Sequence, residues 1–383
     1  MCNIFSSNTT TPQKEVSVQG GIDKSISNTY SNRYFFLDLA KGVAIILMLY
    51  GHCIQYCCAG SEVDFFENIV FKTIYSFHMP LFMLISGYLF YFSFRKRDLK
   101  ELLIHRVQSL VQPIIFGGLF MFLITDGPIA IIKGKFSNLF SGGWFYEGSA
   151  IWFLWSVLAA SVVVAVICKR VNGVWRQLIL LLLATIVVAF FPNSTVNIFM
   201  YPYFILGFFF AKNKENIPRW LYKSRYSSLV LFPLMLCLYE KKHYIYTTGI
   251  YSDKYSLGEI IGIDLYRWLI GLVGSIFVLT LLNLVYKRHI CKANKHLIST
   301  MLAKIGSKSL QMYIISIPLL STYLYIGFPK ILEIFGAENL LVRNMFIYNF
   351  IFTPLLTIVY SFGLYGVLKL LEKAKISKIM FGR

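Results

Sequence analysis

The sequence predicts an all-α, polytopic membrane protein with about ten transmembrane helices and both termini in the cytoplasm. Hydrophobic residues make up 57% of the 383 residues and charged residues only 14%, whereas soluble domains carry roughly 45–50% apolar and about 25% charged residues. The apolar residues also occur in runs close to the roughly 20 residues that a helix needs to cross a bilayer. The basic residues are distributed unevenly between alternate connections.

Ten apolar runs qualify as spans. In order they are 37–56, 69–93, 109–125, 150–168, 177–191, 197–211, 227–239, 258–286, 309–326 and 346–370. The seventh is short and the eighth is long, so their boundaries are the least well defined.

The Lys and Arg residues set the orientation of these spans. The connections on one side carry 27 of them and those on the other side carry seven. Because cytoplasmic loops hold the Lys/Arg excess, both termini are predicted inside, in a multi-pass protein of the cell (cytoplasmic or inner) membrane. The net charge of +19 is then a topology signal, and the expected partner is the lipid bilayer and not nucleic acid.

One membrane domain, residues 33–371, is predicted between two cytoplasmic tails. Residues 1–32 are rich in Ser, Thr, Asn and Gln and have no apolar core, so we expect a disordered tail and not a signal peptide. Residues 372–383 form a short basic tail. The seven cysteines are irregularly spaced, which favours neither a disulfide framework nor a metal site.

The first span carries two side chains that hydrocarbon tolerates badly. Lys41 and His52 are 11 residues apart, which is about three helical turns and a rise of about 16 Å, so they share one face. Asp38 lies on nearly the same face, three residues before Lys41. Ionisable residues in spans usually face a bundle interior or a cavity. A snorkelling lysine and a structural histidine are the alternatives.

The second span contains another histidine, beside a proline. His78 and Pro80 lie in the run FHMPLF, and the proline interrupts the helical hydrogen-bond ladder. This span runs in the opposite direction, so His78 and His52 reach comparable depths and can meet in one cavity. Histidine is the side chain best suited to exchanging protons near neutral pH.

These residues resemble the acyltransferase 3 family of integral membrane O-acyltransferases, which includes fucose 4-O-acetylase-like proteins. The resemblance covers about residues 33–370. It rests on five motifs: Lys41 with His52; FHMPLF with Ser86-Gly87-Tyr88; Arg106 with Pro113; Trp152-Phe153-Leu154; and Ile305-Gly306-Ser307-Lys308-Ser309-Leu310 with Tyr313.

Two positions depart from the family pattern. Ser109 stands where the family often has a second arginine, which bears on how donor phosphates are held. Ser316 stands where a histidine often follows the ninth-span tyrosine, so either that position is not essential or this subgroup differs.

The resemblance implies transfer of an acyl group, usually acetyl, from a CoA donor to a sugar hydroxyl. The acceptor would be an envelope polysaccharide or its lipid-linked precursor. Acetyl-CoA or another acyl-CoA would be a co-substrate, with no permanently bound cofactor and no metal. Lys41 and Arg106 would bind the CoA phosphates. His52 would act as the base or carry the acyl group, and His78 would orient it or stabilise the oxyanion.

Acceptor-binding residues are predicted in the outer half of the membrane domain. Trp152 and Trp155 are candidates for stacking on sugar rings, with an interfacial aromatic belt as the alternative. Asp264 and Arg267 form an i, i+3 pair that would bond to sugar hydroxyls, with a structural ion pair as the alternative.

Two other functional classes remain open. A transporter or flippase of a lipid-linked sugar also places ionisable residues in spans, but it predicts inverted repeats that we do not find in the sequence. A non-catalytic scaffold would not need a buried lysine and histidine on one face.

Overall fold

The part of the chain that the structure describes is almost entirely helical and contains no β-strand. The computed structural model describes residues 19–58, 64–124, 151–191, 193–249, 253–286, 297–320, 324, 327–334 and 344–381, with side chains from residue 35 onward except at positions 121, 318, 331 and 332. The α-helices in these ranges are α1 (Gln19–Cys57), α2 (Ile69–Lys96), α3 (Leu99–Arg106), α4 (Gln112–Ile124), α5 (Trp152–Arg170), α6 (Val174–Leu183), α7 (Thr185–Val188), α8 (Ser194–Lys212), α9 (Arg219–Lys223), α10 (Ser228–Cys237), α11 (Ile245–Thr248), α12 (Leu257–Val285), α13 (Leu297–Ser307), α14 (Ser309–Pro318), α15 (Phe328–Ile334), α16 (Met345–Ile347), α17 (Thr353–Lys373) and α18 (Ile376–Phe381).

Seven helical segments in these ranges are long and apolar enough to cross a membrane. They are Phe35–Cys57, Ile69–Lys96, Leu99–Ile124, Trp152–Arg170, Ser194–Lys212, Leu257–Val285 and Met345–Lys373. They coincide with the predicted first, second, third, fourth, sixth, eighth and tenth spans. The prediction of an all-α membrane protein is therefore confirmed.

The other three predicted spans correspond to shorter helices. The fifth is divided between α6 and α7, and the seventh contains α10. The ninth begins with α14, but part of it lies outside the described residues. The count of ten spans and the cytoplasmic location of the termini remain predictions.

The division of the chain into a membrane domain and two tails is a further untested prediction. Helix α1 begins at Gln19, inside the segment 1–32 that we predicted as a tail. Residues 1–18 lie outside the described part of the chain.

Helix α2 lies at the centre of the bundle and packs against α1, α8 and α12. Its closest approach is to α8, where Gly87 and Gly207 face the partner backbone. A Cβ at Gly87 would collide with the carbonyl of Phe204, and one at Gly207 with the carbonyl of Leu84. Only glycine permits this separation between the two helix axes. The glycine of the Ser86-Gly87-Tyr88 motif therefore has a packing role.

Helices α1 and α13 cross at a second glycine contact. A Cβ at Gly306 would overlap the carbonyl of Asp38, and one at Gly42 would overlap the carbonyl of Leu302. The crossing lies next to Lys41, so it fixes where that lysine emerges from α1. It also gives Gly306 of the ninth-span motif a structural role.

The start of α2 is held by a buried asparagine. The Asn68 side chain accepts hydrogen bonds from the backbone N–H groups of Val70 at 3.0 Å and Phe71 at 3.2 Å. Its amide nitrogen donates to the side-chain oxygen of Asn349 at 2.7 Å. Capping at this helix end satisfies backbone donors that the helix cannot, and the bond to Asn349 ties the start of α2 to the π-helical turn Tyr348–Phe352.

Candidate active site

Lys41 and Arg106 come from different helices and line one cavity of about 360 Å³. Its polar lining also includes Ser86, Ser93, His105, Ser109 and Ser309. Apolar side chains, among them Met48, Met79 and Phe153, line the remainder. A cavity with its cations among hydroxyl groups and a long apolar wall suits an elongated ligand with an anionic end.

One face of α1 forms a wall of this cavity. Lys41, Ile45 and Met48 line it, at the i, i+4, i+7 spacing of a single helix face. His52 is four residues beyond Met48, so it continues the same face past the apolar part of the cavity. His52 itself does not line this cavity, so its common face with Lys41 rests on their spacing.

Lys41 is paired with the acidic residue that precedes it by one turn. Its Nζ lies 2.7 Å from a carboxylate oxygen of Asp38. Both side chains are partly exposed, so the ion pair is accessible to a competing anion. The carboxylate balances the lysine charge within the bundle.

Arg106 is presented by an irregular segment of the third span. It is the last residue of α3 and is followed by the π-helical turn Val107–Val111, a feature frequent at functional sites. Pro113 lies just beyond, where it supplies no N–H to the preceding turn. The guanidinium carbon lies 4.5 Å from the centroid of the Phe90 ring, a cation–π contact that orients the side chain.

His52 is held by two polar side chains at the opposite end from Lys41. Its Nδ1 lies 3.0 Å from the Tyr75 hydroxyl and 3.2 Å from the amide oxygen of Gln55. Tyr75 also donates to that same oxygen at 3.2 Å. The Tyr56 ring stacks on the imidazole at a centroid distance of 5.4 Å. With Nδ1 engaged, Nε2 is the nitrogen available for chemistry.

His78 is buried and its tautomer follows from its partner. Nδ1 lies 2.9 Å from the carbonyl oxygen of Ile74, and a carbonyl only accepts hydrogen bonds. The neutral imidazole therefore carries its hydrogen on Nδ1, which leaves a lone pair on Nε2. A neutral His78 accepts a proton at Nε2 and cannot donate one to an oxyanion.

Tyr75 lies between the two histidines. Its ring centroid is 5.9 Å from that of His52 and 4.7 Å from that of His78. Tyr75 therefore links the two histidines in one cluster, but of the two only His78 lines either of the cavities described here, so their meeting in one cavity stays a prediction. Sequence reasoning missed Tyr75, although its position one turn before His78 places it on the same side of α2.

A second, smaller cavity of about 30 Å³ lies beside His78. His78, Tyr75, Tyr246 and Arg267 line it, and Met79 lines both cavities. Met79 therefore lies between the two cavities, and its neighbour His78 lines the smaller one.

Asp264 and Arg267 form the predicted ion pair, at 2.7 Å. Arg267 is only 2% exposed. Its other donors reach the carbonyl oxygens of Lys242 at 2.9 Å, His243 at 3.1 Å, Tyr244 at 3.4 Å and Gly249, and the hydroxyl of Thr248. These contacts support the structural alternative for Arg267, while its role in acceptor binding remains a prediction.

Trp152 and Trp155 are half-buried at the start of α5. The Trp152 ring lies 6.5 Å from the ring of Tyr246. Tyr246 comes from α11, a short helix for which sequence analysis assigned no role. The structure thus places Trp152 near the histidine end of the site, where an acceptor was predicted.

The two departures from the family pattern have different surroundings. Ser109 lines the larger cavity within the π-helical turn, so it faces the region assigned to the donor. Ser316 is fully buried and donates to the carbonyl of Tyr313 at 2.8 Å, whereas Tyr313 itself lines the cavity.

Comparison with known proteins gave one family and two curated relatives. A family model described as an acyltransferase domain, acyltransferase 3, matches residues 34–366. Nodulation protein NolL of Mesorhizobium japonicum is 29% identical over 227 residues, which are 56% of this chain and 59% of the relative. Nodulation protein NolL of Sinorhizobium fredii is 31% identical over 216 residues, 54% of this chain and 56% of the relative.

The chain therefore spans little more than half the length of these two relatives. No solved structure gave a significant match.

Proposed function

This chain belongs to the acyltransferase 3 family, whose model covers residues 34–366, and from that premise we propose that it is a membrane O-acyltransferase. The donor is an acyl-CoA, in the first instance acetyl-CoA. The acceptor is a sugar hydroxyl of an envelope polysaccharide or its lipid-linked precursor. The protein lies in the cytoplasmic membrane with ten spans and both termini inside, as the 27 to seven division of basic residues supports.

The observation that carries this proposal is the course of the larger cavity. It holds Lys41 and Arg106 at one end and reaches Met48 and Met79, and these two methionines are adjacent along their helices to the two histidines. The rise of about 16 Å from Lys41 to His52 suits a donor that has phosphates at one end and a thioester at the tip of an extended arm.

At the phosphate end, Lys41 and Arg106 act as cations of different kinds. Arg106 presents a planar fork of donors that matches phosphate oxygens, and Lys41 is a point charge. Asp38 pairs with Lys41 at 2.7 Å, so it holds the lysine in place and balances its charge until phosphate binds.

At the thioester end, we assign the general base to His52. The acceptor oxygen attacks the thioester carbonyl, its proton passes to Nε2 of His52, and the C–S bond breaks to release CoA, whose sulfur takes up a proton. His52 is half-buried whereas His78 is only 3% exposed, so His52 is the more accessible to a bulky sugar. Tyr75 and Gln55 hold the His52 ring through Nδ1, the usual arrangement for a catalytic base.

We assign an orienting role to His78. Its neutral form has no hydrogen on Nε2, so it does not serve as an oxyanion donor unless it is protonated. The lone pair on Nε2 instead allows it to align a hydroxyl, or to share the proton with His52.

The proposal is tested by the acylation state of surface glycans. Mass spectrometry of glycans from cells with and without this gene is expected to show O-acetyl groups that depend on the gene. The control is the His52→Ala variant at matched membrane abundance, which we expect to behave like the deletion. Identical glycans in all three strains, together with no release of CoA thiol by the purified protein in nanodiscs, would refute the proposed function.

A further inference from the structure

The segment 241–249 lies over the histidine end of the bundle. It comprises a short 3-10 helix, Lys241–His243, and α11. Lys241 forms an ion pair with Asp64 at 2.5 Å, and the Tyr244 hydroxyl donates to the carbonyl of Phe66 at 3.1 Å. Because Asp64 and Phe66 lie between α1 and α2, the segment is attached to the connection that follows His52.

Arg267, on α12, binds this segment through hydrogen bonds to its backbone. Its guanidinium bonds to the carbonyl oxygens of Lys242, His243, Tyr244 and Gly249 and to the hydroxyl of Thr248. A buried arginine that satisfies several backbone carbonyls fixes the path of the chain between them. The side chains carried by α11 therefore have a defined position relative to α12 and to the histidines.

Tyr246 is the residue of α11 that this arrangement presents to a ligand. It is 53% exposed, yet its ring lies 6.5 Å from the rings of both Trp152 and Tyr75. Tyr75 in turn contacts both histidines. An exposed aromatic ring on a fixed segment thus lies one side chain away from His52 and His78.

We propose that Tyr246, together with Trp152, forms the binding subsite for the sugar ring of the acceptor. This inference rests on the proposed function and identifies the residues that would hold its acceptor. The larger cavity approaches the histidines from the Lys41 end, so an acceptor must approach from the end that Tyr246 occupies. A sugar ring offers an apolar C–H face and polar hydroxyls, which suits rigid aromatic side chains with a polar edge.

In this arrangement Arg267 acts as a positioning residue for the subsite, in place of the direct bond to the acceptor that we predicted from its spacing with Asp264. Its donors are directed at the segment 241–249 and at Asp264. The ring contacts of the subsite are therefore aromatic, and the guanidinium of Arg267 is bonded to the backbone of the segment that carries Tyr246.

The test is a steady-state assay of acetyl transfer by the full-length protein in nanodiscs. Acetyl-CoA is the donor, and the acceptor probes are the methyl glycosides of glucose, galactose, mannose, fucose and rhamnose. For the best of these, Tyr246→Ala is expected to raise the acceptor KM roughly tenfold, the size typical of a lost stacking contact. The donor KM should not change. Tyr246→Trp should keep an acceptor KM close to that of the wild type.

The matched control is Tyr226→Ala, which removes another exposed tyrosine, 42% exposed. Tyr226 lies beside Arg225 just before α10, whereas Tyr246 follows that helix. In cells, the same variants are compared by the O-acetyl content of surface glycans at equal protein abundance. Tyr246→Ala should lower this content and Tyr226→Ala should not.

An acceptor KM or glycan acetylation in Tyr246→Ala equal to that of the wild type would overturn the inference while leaving the proposed function standing. Equal defects in Tyr246→Ala and Tyr226→Ala would also overturn it, since they indicate a general aromatic effect. If the wild type acetylates neither the glycosides nor any surface glycan, the proposed function fails and the inference fails with it.

Discussion

The hydroxyl of Tyr75 lies 3.0 Å from Nδ1 of His52, so a side chain of α2 orients the imidazole on α1. The same hydroxyl donates to the amide oxygen of Gln55. The orientation of the proposed base therefore depends on how two helices pack, and not on α1 alone.

Replacing this hydroxyl is expected to impair catalysis without affecting donor binding. Tyr75→Phe keeps the ring, which stacks on Phe71 at 3.9 Å, and removes only the hydrogen bonds. A neutral hydrogen bond contributes about 0.5–1.5 kcal/mol, so kcat should fall by roughly two- to tenfold, the donor KM should hold, and the pH profile of kcat should shift. Tyr201→Phe, which loses a comparable buried bond to Leu181 at 3.0 Å, is the control. An unchanged pH profile in Tyr75→Phe would contradict the positioning role.

Asparagine substitutions distinguish the two histidines. An amide keeps hydrogen-bonding capacity but cannot take up a proton, and general base catalysis is worth about 10²- to 10⁴-fold. His52→Asn should therefore abolish detectable acylation, whereas His78→Asn should be milder. Acylation is measured at matched membrane abundance. Near-normal activity of His52→Asn would remove His52 from the mechanism, and a complete loss confined to His78→Asn would show that the two roles are reversed.

The donor end is tested by removing each cation. Lys41→Ala or Arg106→Ala should raise the KM for acetyl-CoA by about ten- to hundredfold, the effect of losing a charged hydrogen bond of about 1.5–3 kcal/mol. Lys72→Ala is the control, because Lys72 is paired with Glu67 at 2.9 Å near the start of α2, away from the cavity. If both cavity variants keep the wild-type donor KM, the phosphate assignment is wrong.

Acid is expected to loosen the segment 241–249. Burial, followed by the nearby charge of Lys242, lowers the pKa of His243 to about 4 from 6.5, and its Nδ1 accepts a hydrogen bond from the backbone N–H of Glu240 at 2.8 Å. The folded form therefore binds the proton less readily than the unfolded form. The stability that the neutral imidazole of His243 contributes is fully present above about pH 6.5 and is lost as pH falls toward about 4.

Hydrogen exchange of residues 241–249 at pH 7, 5.5 and 4.5, after correction for intrinsic rates, measures this effect. The other groups around the imidazole are Glu240, Arg267 and the rings of Tyr239 and Tyr266. His243→Gln keeps an acceptor for the Glu240 N–H but does not titrate, so it should not show the dependence. The same acid sensitivity in His243→Gln would assign the effect to another group.

Reporter fusions test the predicted topology. Fusions at Asn32 and Lys378 should report a cytoplasmic location, and a fusion at Asn193 should report the outside. An external signal from Asn32 or Lys378, or an internal one from Asn193, would disprove the predicted orientation.

Local sequence determined the fold class and the face of α1 that forms one wall of the candidate site. Periodicity is a property of a single helix, so the common face of Lys41 and His52 followed from their spacing, and the face is the one that lines the larger cavity as far as Met48. Apolar runs of sufficient length located the seven long helical segments, because the bilayer sets the required length whatever the neighbouring helices are.

The tertiary structure decided which residues of different helices meet. The contact of Tyr75 with His52 spans 23 positions, and that of Tyr246 with Trp152 spans still more, so no local pattern reports either of them. Arg267 shows the same limit: its spacing from Asp264 predicted the ion pair, but only the path of the segment 241–249 supplies the carbonyl oxygens that occupy its other donors. Which helices pack together depends on close approach at small residues such as Gly87 and Gly207. Such contacts require complementary shapes across the bundle, which hydrophobic periodicity does not encode.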